Sequence, residues 1–420
     1  MQICIFEDKG YANLLPLTYT RPAYLLRSGL KSLLEKILIH LPEVQDNIVL
    51  HCRKELQPWL KMSGKYPINE LRAEETFFIN GRLLAGAPFK TNGKNFLLSY
   101  NDVPLLAKLD AKTMRKFTLP PVFDLKTFRA YHLAETKSSL PIANYFWDIL
   151  AGSGVDINAD AQRSGQLGQH FSSAARVQMV NAQNIFIGRN VVLKPGVVLD
   201  ASGGSIYIAD QAEILPNAVI IGPVYIGEKT LIKTAAKIYG GTNIGPVCKV
   251  GGEVESSTLL GYANKQHDGF LGHSYLGEWV NLGAGTENSD LKNNYHPVKV
   301  QISAGRRINS DLQFVGCCIG DHVKTGIKTM LAAGSLIGCF NNIYGAGFQP
   351  KYLPPFVWND NSVPPVEHQP EQAIQTAKVV MARRGFELSR EQERIYRQVW
   401  QNSAKERKLL KIQEAQRSKK

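Results

Sequence analysis

From residue 208 to residue 250 the chain places one apolar side chain at every sixth position. Ile208, Ile214, Ile220, Ile226, Ile232, Ile238, Ile244 and Val250 follow without a gap, and glycine comes directly after the apolar residue at Gly227, Gly245 and Gly251. The same phase occurs upstream at Ile187, Leu193 and Leu199, ahead of a small insertion. Downstream it returns at Leu276 and Leu282, then at Ile319, Leu331, Ile337 and Ile343, with Thr325 in register. A helix repeats near 3.6 residues and an alternating strand at 2, so neither gives a period of six. A short strand, a turn and another short strand do give it, three such units closing one triangular coil of eighteen residues. Each inward residue then stacks on the one a coil earlier, and neighbouring coils pair as parallel strands. One coil cannot bury its apolar face alone, so many must stack.

This is the hexapeptide pattern of a left-handed parallel β-helix, whose corners suit glycine and small or β-branched residues; it is expected over residues 181–350. Two polar stretches break it, "LGYANKQHDGFL" (Leu260 to Leu271) and "TENSDLKNNYHPVKV" (Thr286 to Val300). Irregular excursions from a rigid scaffold are where binding groups collect; the alternative is that they cover an edge of the prism. Residues 1–150 read as an α/β domain. "MQICIFED" predicts a buried first strand, "LRSGLKSLLEKILIHL" an amphipathic helix, "NIVLHC" a second strand, and "NFLLSYNDVPLL" a later strand ending in an acid. Residues 151–180 are expected to link the two, with an amphipathic segment at Ile142 to Leu150 docking the halves. Residues 351–420 are expected to be a basic helical tail, with apolar positions at Ile395, Val399, Trp400, Leu409, Leu410 and Ile412.

At 420 residues, 44% apolar and 20% charged, the chain suits a soluble globular protein with two domains and appendages. It contains no apolar run of about eighteen residues, the length a membrane span needs, and the start lacks a basic segment followed by an apolar one, so a cytoplasmic protein is expected. Six cysteines without a CxxC pair point to reduced thiols and away from structural zinc. The formal charge of +13 raises nucleic-acid binding. Residues 371–420, however, hold 13 Lys/Arg against 6 Asp/Glu, so this tail carries +7 and the other 370 residues only +6. Helices packed on the body or on a partner explain that distribution better than a nucleic-acid surface.

Two stretches carry a family resemblance: "KVGGEVESSTLLGYANKQHDGFLGHSYLGEWVNLGAGTENSDLKNNY" (Lys249 to Tyr295) and the more eroded "FEDKGYANLLPLTYTRPAYLLRSG" (Phe6 to Gly29). They resemble the sugar-1-phosphate nucleotidyltransferases and β-helix acyltransferases, especially the bifunctional N-acetylglucosamine-1-phosphate uridylyltransferases/glucosamine-1-phosphate acetyltransferases in a short bacterial form. The resemblance implies that His273, in "GHSYLG", takes a proton from a sugar amine as that amine attacks acetyl-CoA. An ammonium is not a nucleophile, and imidazole titrates near neutral pH. It further implies that Lys265, Tyr275, Asn281, Lys292, Asn294 and Tyr295 meet the sugar phosphate, and that Ala284, Gly285 and Lys299 meet the acyl donor. For the front half it implies Gly10, Arg21 and Arg27 at a nucleoside triphosphate and Asp102 on Mg²⁺. A homotrimer with no membrane partner follows from the same likeness.

The pattern departs from the family in two ways. From His273 to Asn281 is eight residues, one hexapeptide short of the standard acetyltransferase. In the first loop, Asn13 and Ala23 stand where the family has arginine and lysine. The residues therefore leave His267 as an alternative base, and a structural turn histidine as another reading of His273. Rival functions are a nucleotidyltransferase for another sugar with a non-catalytic β-helix, and an assembly protein without activity.

Overall fold

Coils stack at the sequence period in the computed structural model of the chain, which describes residues 1–41, 47–86, 88–89, 95–172 and 176–414. Ile208 pairs with Ile226 and Ile226 with Ile244 on one face. Ile214, Ile232 and Val250 pair on the second, and Ile220, Ile238 and Val254 on the third. All pairing between coils is parallel, and the first face runs nine strands from Ile185–Ile187 to Tyr352–Leu353. The inward residues form one continuous buried core. β-Branched side chains suit these short extended segments, and burying each Ile or Val is worth about 1.5–3 kcal/mol.

Two sequence expectations change here. The stretch Leu260 to Leu271 is a tightened coil, not an excursion: Val250 pairs with Lys265 and Leu259 with Leu276, so the strands Asn264–Lys265 and Phe270–Gly272 stay in the prism. The second break is a true excursion. Leu276 pairs next with Ile319; the chain between them stays in the prism through Asn281 and Glu287–Asn288, then leaves it to form a hairpin of Lys299–Ser303 with Arg306–Asn309.

The N-terminal part is a six-stranded mixed sheet in the order Ile48–Leu50, Gln2–Phe6, Thr76–Asn80, Val103–Leu109, Phe96–Tyr100, Ala134–Lys137. The helix expected over 26–41 covers only Leu33–Ile39. Ser32 caps it through a capping box with Glu35, after a small hairpin, Arg27–Ser28 with Lys31–Ser32, that turns at Gly29 (φ +66°). Gly29 is held against the backbone of Asp156, where a side chain would clash. The single strand expected to end in Asp102 is two strands of a hairpin, Phe96–Tyr100 and Val103–Leu109, turning at Asn101 and Asp102 with φ +45° and +61°.

The helix Phe146–Arg163 runs straight through the expected boundary at 150. Lys36 pairs with its Asp156 (3.1 Å) and Asp160 (3.2 Å), and its Asn158 accepts a bond from the Ser205 N–H (2.7 Å), which ties the N-terminal sheet to the coils. The tail forms helices Pro370–Ala382, Arg390–Asn402 and Ala404–Leu409, which bury Ile374, Met381, Ile395, Tyr396 and Val399 against the body. Residues 415–420 of the basic tail lie outside the described residues. Among the described residues no helix is long and apolar enough to cross a membrane. All six cysteines are buried and free.

Candidate functional site

His273 turns the corner after the strand Phe270–Gly272 with φ +45°, its N–H bonded to the Glu255 carbonyl and its own carbonyl to the Gly316 N–H. Both ends of the residue are therefore held by neighbouring coils. Its Nδ1 lies 2.8 Å from Asp290 Oδ2. A carboxylate only accepts, so in the neutral ring the proton sits on Nδ1 and Nε2 keeps its lone pair. Nε2 has no partner among the described residues. Asp290 reaches the ring over Gly272, where any side chain would occupy the space of its carboxylate. Phe314 stacks on the imidazole with centroids 5.3 Å apart and 25° between planes. The ring opens on a cavity of about 280 Å³ lined by Trp147, Leu150, Ser256, Leu312 and Phe314.

Asp290, Phe314 and Trp147 were not read from the sequence as site residues. Asp290 gave one signal, an acid inside a polar excursion. Phe314 and Trp147 reach the cavity only through the return of the excursion and the docking of the helix at 146–163.

The remaining expected site residues divide. Lys292 and Asn294 share a second cavity of about 300 Å³ with Lys351 and Phe348. Lys292 Nζ reaches the Pro297 carbonyl (3.3 Å), and Asn294 caps the His296 N–H (3.2 Å). Tyr295 is 66% exposed beside them, and Lys299 is exposed on the hairpin. His267 gives its carbonyl to Lys265 (2.5 Å).

Several assignments need correction. Lys265 is buried, its ammonium spent on the carbonyls of Gly251 (3.1 Å) and His267, and burial pushes its pKa down to about 8. It occupies an inward position paired with Val250, so it holds a corner and does not face a phosphate. Tyr275 is fully buried, its hydroxyl donating to the Arg27 carbonyl (3.0 Å) and accepting from the Arg27 N–H (2.8 Å). Asn281 sits on the face of Asn264 and Lys324, its side chain 3.3 Å from Asn264, and Gly285 turns the following corner. Eight residues are more than one repeat unit, so Asn281, Ala284 and Gly285 lie beyond the corner at Trp279, off the His273 corner of the same chain.

The front-half residues are likewise committed elsewhere. Arg21 is buried and grips Asp321 with both terminal nitrogens (3.0 and 2.8 Å), with Glu278 at 3.0 Å and Thr20 also bonded to Asp321. The space over Gly10 is filled by the guanidinium of Arg82, itself bidentate to Asp8 (2.7 and 2.7 Å). Arg27 donates to the Leu30 carbonyl (2.5 Å) and lies over the Tyr225 ring. The Asp102 side chain is 86% exposed on its turn, 3.8 Å from Arg129. Among the described residues no three His, Cys, Asp or Glu side chains come together as a metal site.

The chain thus joins a stack of parallel coils, with a histidine and an aspartate at a corner cavity, to a six-stranded mixed sheet. Residues 3–166 match the family model described as sugar nucleotidyl transferase. A bifunctional sugar-1-phosphate nucleotidylyltransferase/acetyltransferase of Sulfurisphaera tokodaii is 37% identical over 92 residues, 22% of this chain and 23% of that protein. The bifunctional protein GlmU of Methanococcus vannielii is 32% identical over 172 residues, 39% of this chain and 36% of that one. The chain thus spans well under half the length of these relatives. A crystal structure of UDP-N-acetylglucosamine acyltransferase overlaps 50% of this chain and 75% of that one at 14% identity, with a TM-score of 0.23. That overlap is too weak to bear on the fold, which rests on the strand pairing itself.

Proposed function

We propose that the chain transfers an acetyl group from acetyl-CoA to the amine of an amino sugar phosphate such as glucosamine-1-phosphate, with His273 as general base. The observation that carries this reading is the His273–Asp290 pair at the mouth of a cavity. Nε2 accepts the proton that the amine loses as its nitrogen attacks the thioester carbonyl; Asp290 keeps the ring in the tautomer that can accept it and stabilises the imidazolium that forms. Collapse of the adduct expels the coenzyme thiolate, which takes up a proton. Lys292 and Lys351 supply positive charge near Asn294 for a phosphate or for the coenzyme. Asn281, Ala284 and Gly285 meet a His273 corner in this reading by coming from another copy, which is the reason to propose a homotrimer. Supply of UDP-N-acetylglucosamine in the cytoplasm is the setting that fits.

A second reading, nucleotidyl transfer by residues 3–166, is favoured by the family match. Asp102 on its exposed turn does not fit a Mg²⁺ site, so no step through the metal is derived. Acetyl-CoA consumption with glucosamine-1-phosphate, by the full chain and His273→Ala, tests the first reading; unchanged turnover in the variant removes His273. UTP and dTTP turnover with Mg²⁺ tests the second. No turnover and no binding in either assay leaves an assembly protein. Light scattering in solution tests the trimer.

A further inference from the structure

Two elements from distant parts of the chain wall the cavity beside His273, and both present hydrocarbon. The helix Phe146–Arg163 brings Trp147, Leu150 and Ala151 to it, and the return of the excursion brings Leu312, Phe314 and Val315. Both walls are held in place. Trp147 and Leu150 are buried where the helix docks. The return is tied by the Val315 N–H to the Asp290 carbonyl (2.9 Å) and by its Leu312 carbonyl to the Val298 N–H (2.9 Å). The two polar side chains of the lining donate elsewhere: Ser256 to the Gly240 carbonyl (3.4 Å) and Gln313 to the Tyr295 carbonyl (3.2 Å). His273 Nε2 therefore meets a space whose walls offer it mostly carbon.

A sugar does not suit such a space. Its hydroxyls would give up water and find few donors, at a cost for each group left unpaired. The second cavity, which begins at Ser289 next to Asp290, supplies those partners through Lys292, Asn294 and Lys351. The acyl group is the reactant that matches the apolar walls. A hydrocarbon chain asks for no hydrogen bond and no free ring face, only for surface away from water. Leu312 and Phe314, 36% and 44% exposed beside the histidine, are surface that such a chain would cover. Size points the same way. A cavity of about 280 Å³ has room for roughly nine groups the size of a water molecule, at about 30 Å³ each. The methyl of an acetyl group fills about one of those places.

We propose that this cavity holds the hydrocarbon chain of an acyl thioester of about four to eight carbons, and that the protein transfers this medium-chain acyl group. The inference rests on the acyl-transfer reading above and sets the length of its acyl group. The amine nitrogen bonds to the thioester carbonyl carbon, the C–S bond breaks, and His273 Nε2 takes the amine proton. The products are an N-acyl amino sugar phosphate and coenzyme A, whose thiolate takes up a proton.

The test gives the full chain glucosamine-1-phosphate with acetyl-, butyryl-, hexanoyl- and octanoyl-CoA and reads kcat/KM for each from thiol release. The value is expected to rise about tenfold or more from acetyl to hexanoyl. Ala151→Phe fills the cavity from an exposed helix position. It is expected to lower the hexanoyl-to-acetyl ratio about tenfold or more, and a general loss of folded protein does not move that ratio. Titration calorimetry with the same thioesters and no acceptor is expected to give the same order of affinity. A kcat/KM that falls from acetyl-CoA onward, with affinities independent of chain length, overturns the inference and leaves acetyl transfer standing. An unchanged ratio in Ala151→Phe overturns the placement of the acyl chain in this cavity. No transfer from any thioester removes the acyl-transfer reading and the inference with it.

Discussion

Asp290 and His273 are 17 residues apart in the chain and meet because one coil of the prism separates them. An asparagine at 290 keeps the shape but can present its amide nitrogen to Nδ1, which then favours the tautomer with its proton on Nε2, the wrong one for a base. Asp290→Asn is therefore expected to lower kcat by about 10²-fold with little change in KM for acetyl-CoA, and His273→Ala by about 10²–10⁴-fold, both read from initial rates. Lys265 makes a different prediction. Its folded pKa of about 8 lies below its ordinary 10.5, so between those values the folded state binds fewer protons than the unfolded one. Stability from this group therefore rises with pH across that window, and the burial cost is fully felt below about pH 8. Urea denaturation at several pH values across this window should show a flatter rise for Lys265→Met than for wild type; an unchanged slope would place the shift elsewhere.

The coils also explain how the tail is held. Tyr262, Trp279, His322, Phe340 and Phe356 each turn the same corner with φ between +55° and +62° and stack ring on ring, with planes within 17° of parallel. Phe386 and Tyr396 close over them, with the Tyr396 hydroxyl 3.0 Å from His322 Nε2. Burial holds the His322 pKa well below its ordinary value, and Lys324 and Arg21 act in the same direction. A depressed folded pKa means stability that is complete above the unfolded value, near 6.5, and is lost as pH falls below it. His322→Phe, which continues the stack, is expected to lose less melting temperature than wild type between about pH 8 and 5, measured by differential scanning calorimetry. The inward residues of the coils were legible because their period depends on no partner. The aromatic corner was not, since the excursion after Leu276 and the tightened coil at Leu260 to Leu271 break its spacing. The shortened helix at 33–39 escaped for a local reason: the apolar pattern continues through Leu26 and Leu30, while Gly29 and the Ser32 cap end the helical path.

Across the whole molecule the first loop of the N-terminal sheet is fastened to the β-helix by a pair 300 residues apart, Arg21 and Asp321. No local pattern could have shown this, and the family resemblance made Arg21 a phosphate ligand. With side chains 6% and 3% exposed, the two charges are nearly out of water and depend on each other. Removing Arg21 leaves Asp321 buried without its counter-ion, at a cost of about 3–5 kcal/mol, whereas replacing both with apolar residues of similar size is close to neutral. Arg21→Ala should therefore lower the denaturation midpoint strongly, and Arg21→Met combined with Asp321→Leu should recover most of it. The double variant also separates the two possible duties of Arg21. If the arginine serves only to dock the halves, the recovered protein keeps wild-type acetyl transfer and the same affinity for UTP. If the arginine leaves Asp321 to meet a triphosphate, stability returns but UTP affinity falls, as titration calorimetry would reveal. The bidentate grip, with Thr20 and Glu278 completing it, favours the first outcome, because a nucleotide phosphate would have to repay the exposure of Asp321 before gaining anything from the guanidinium.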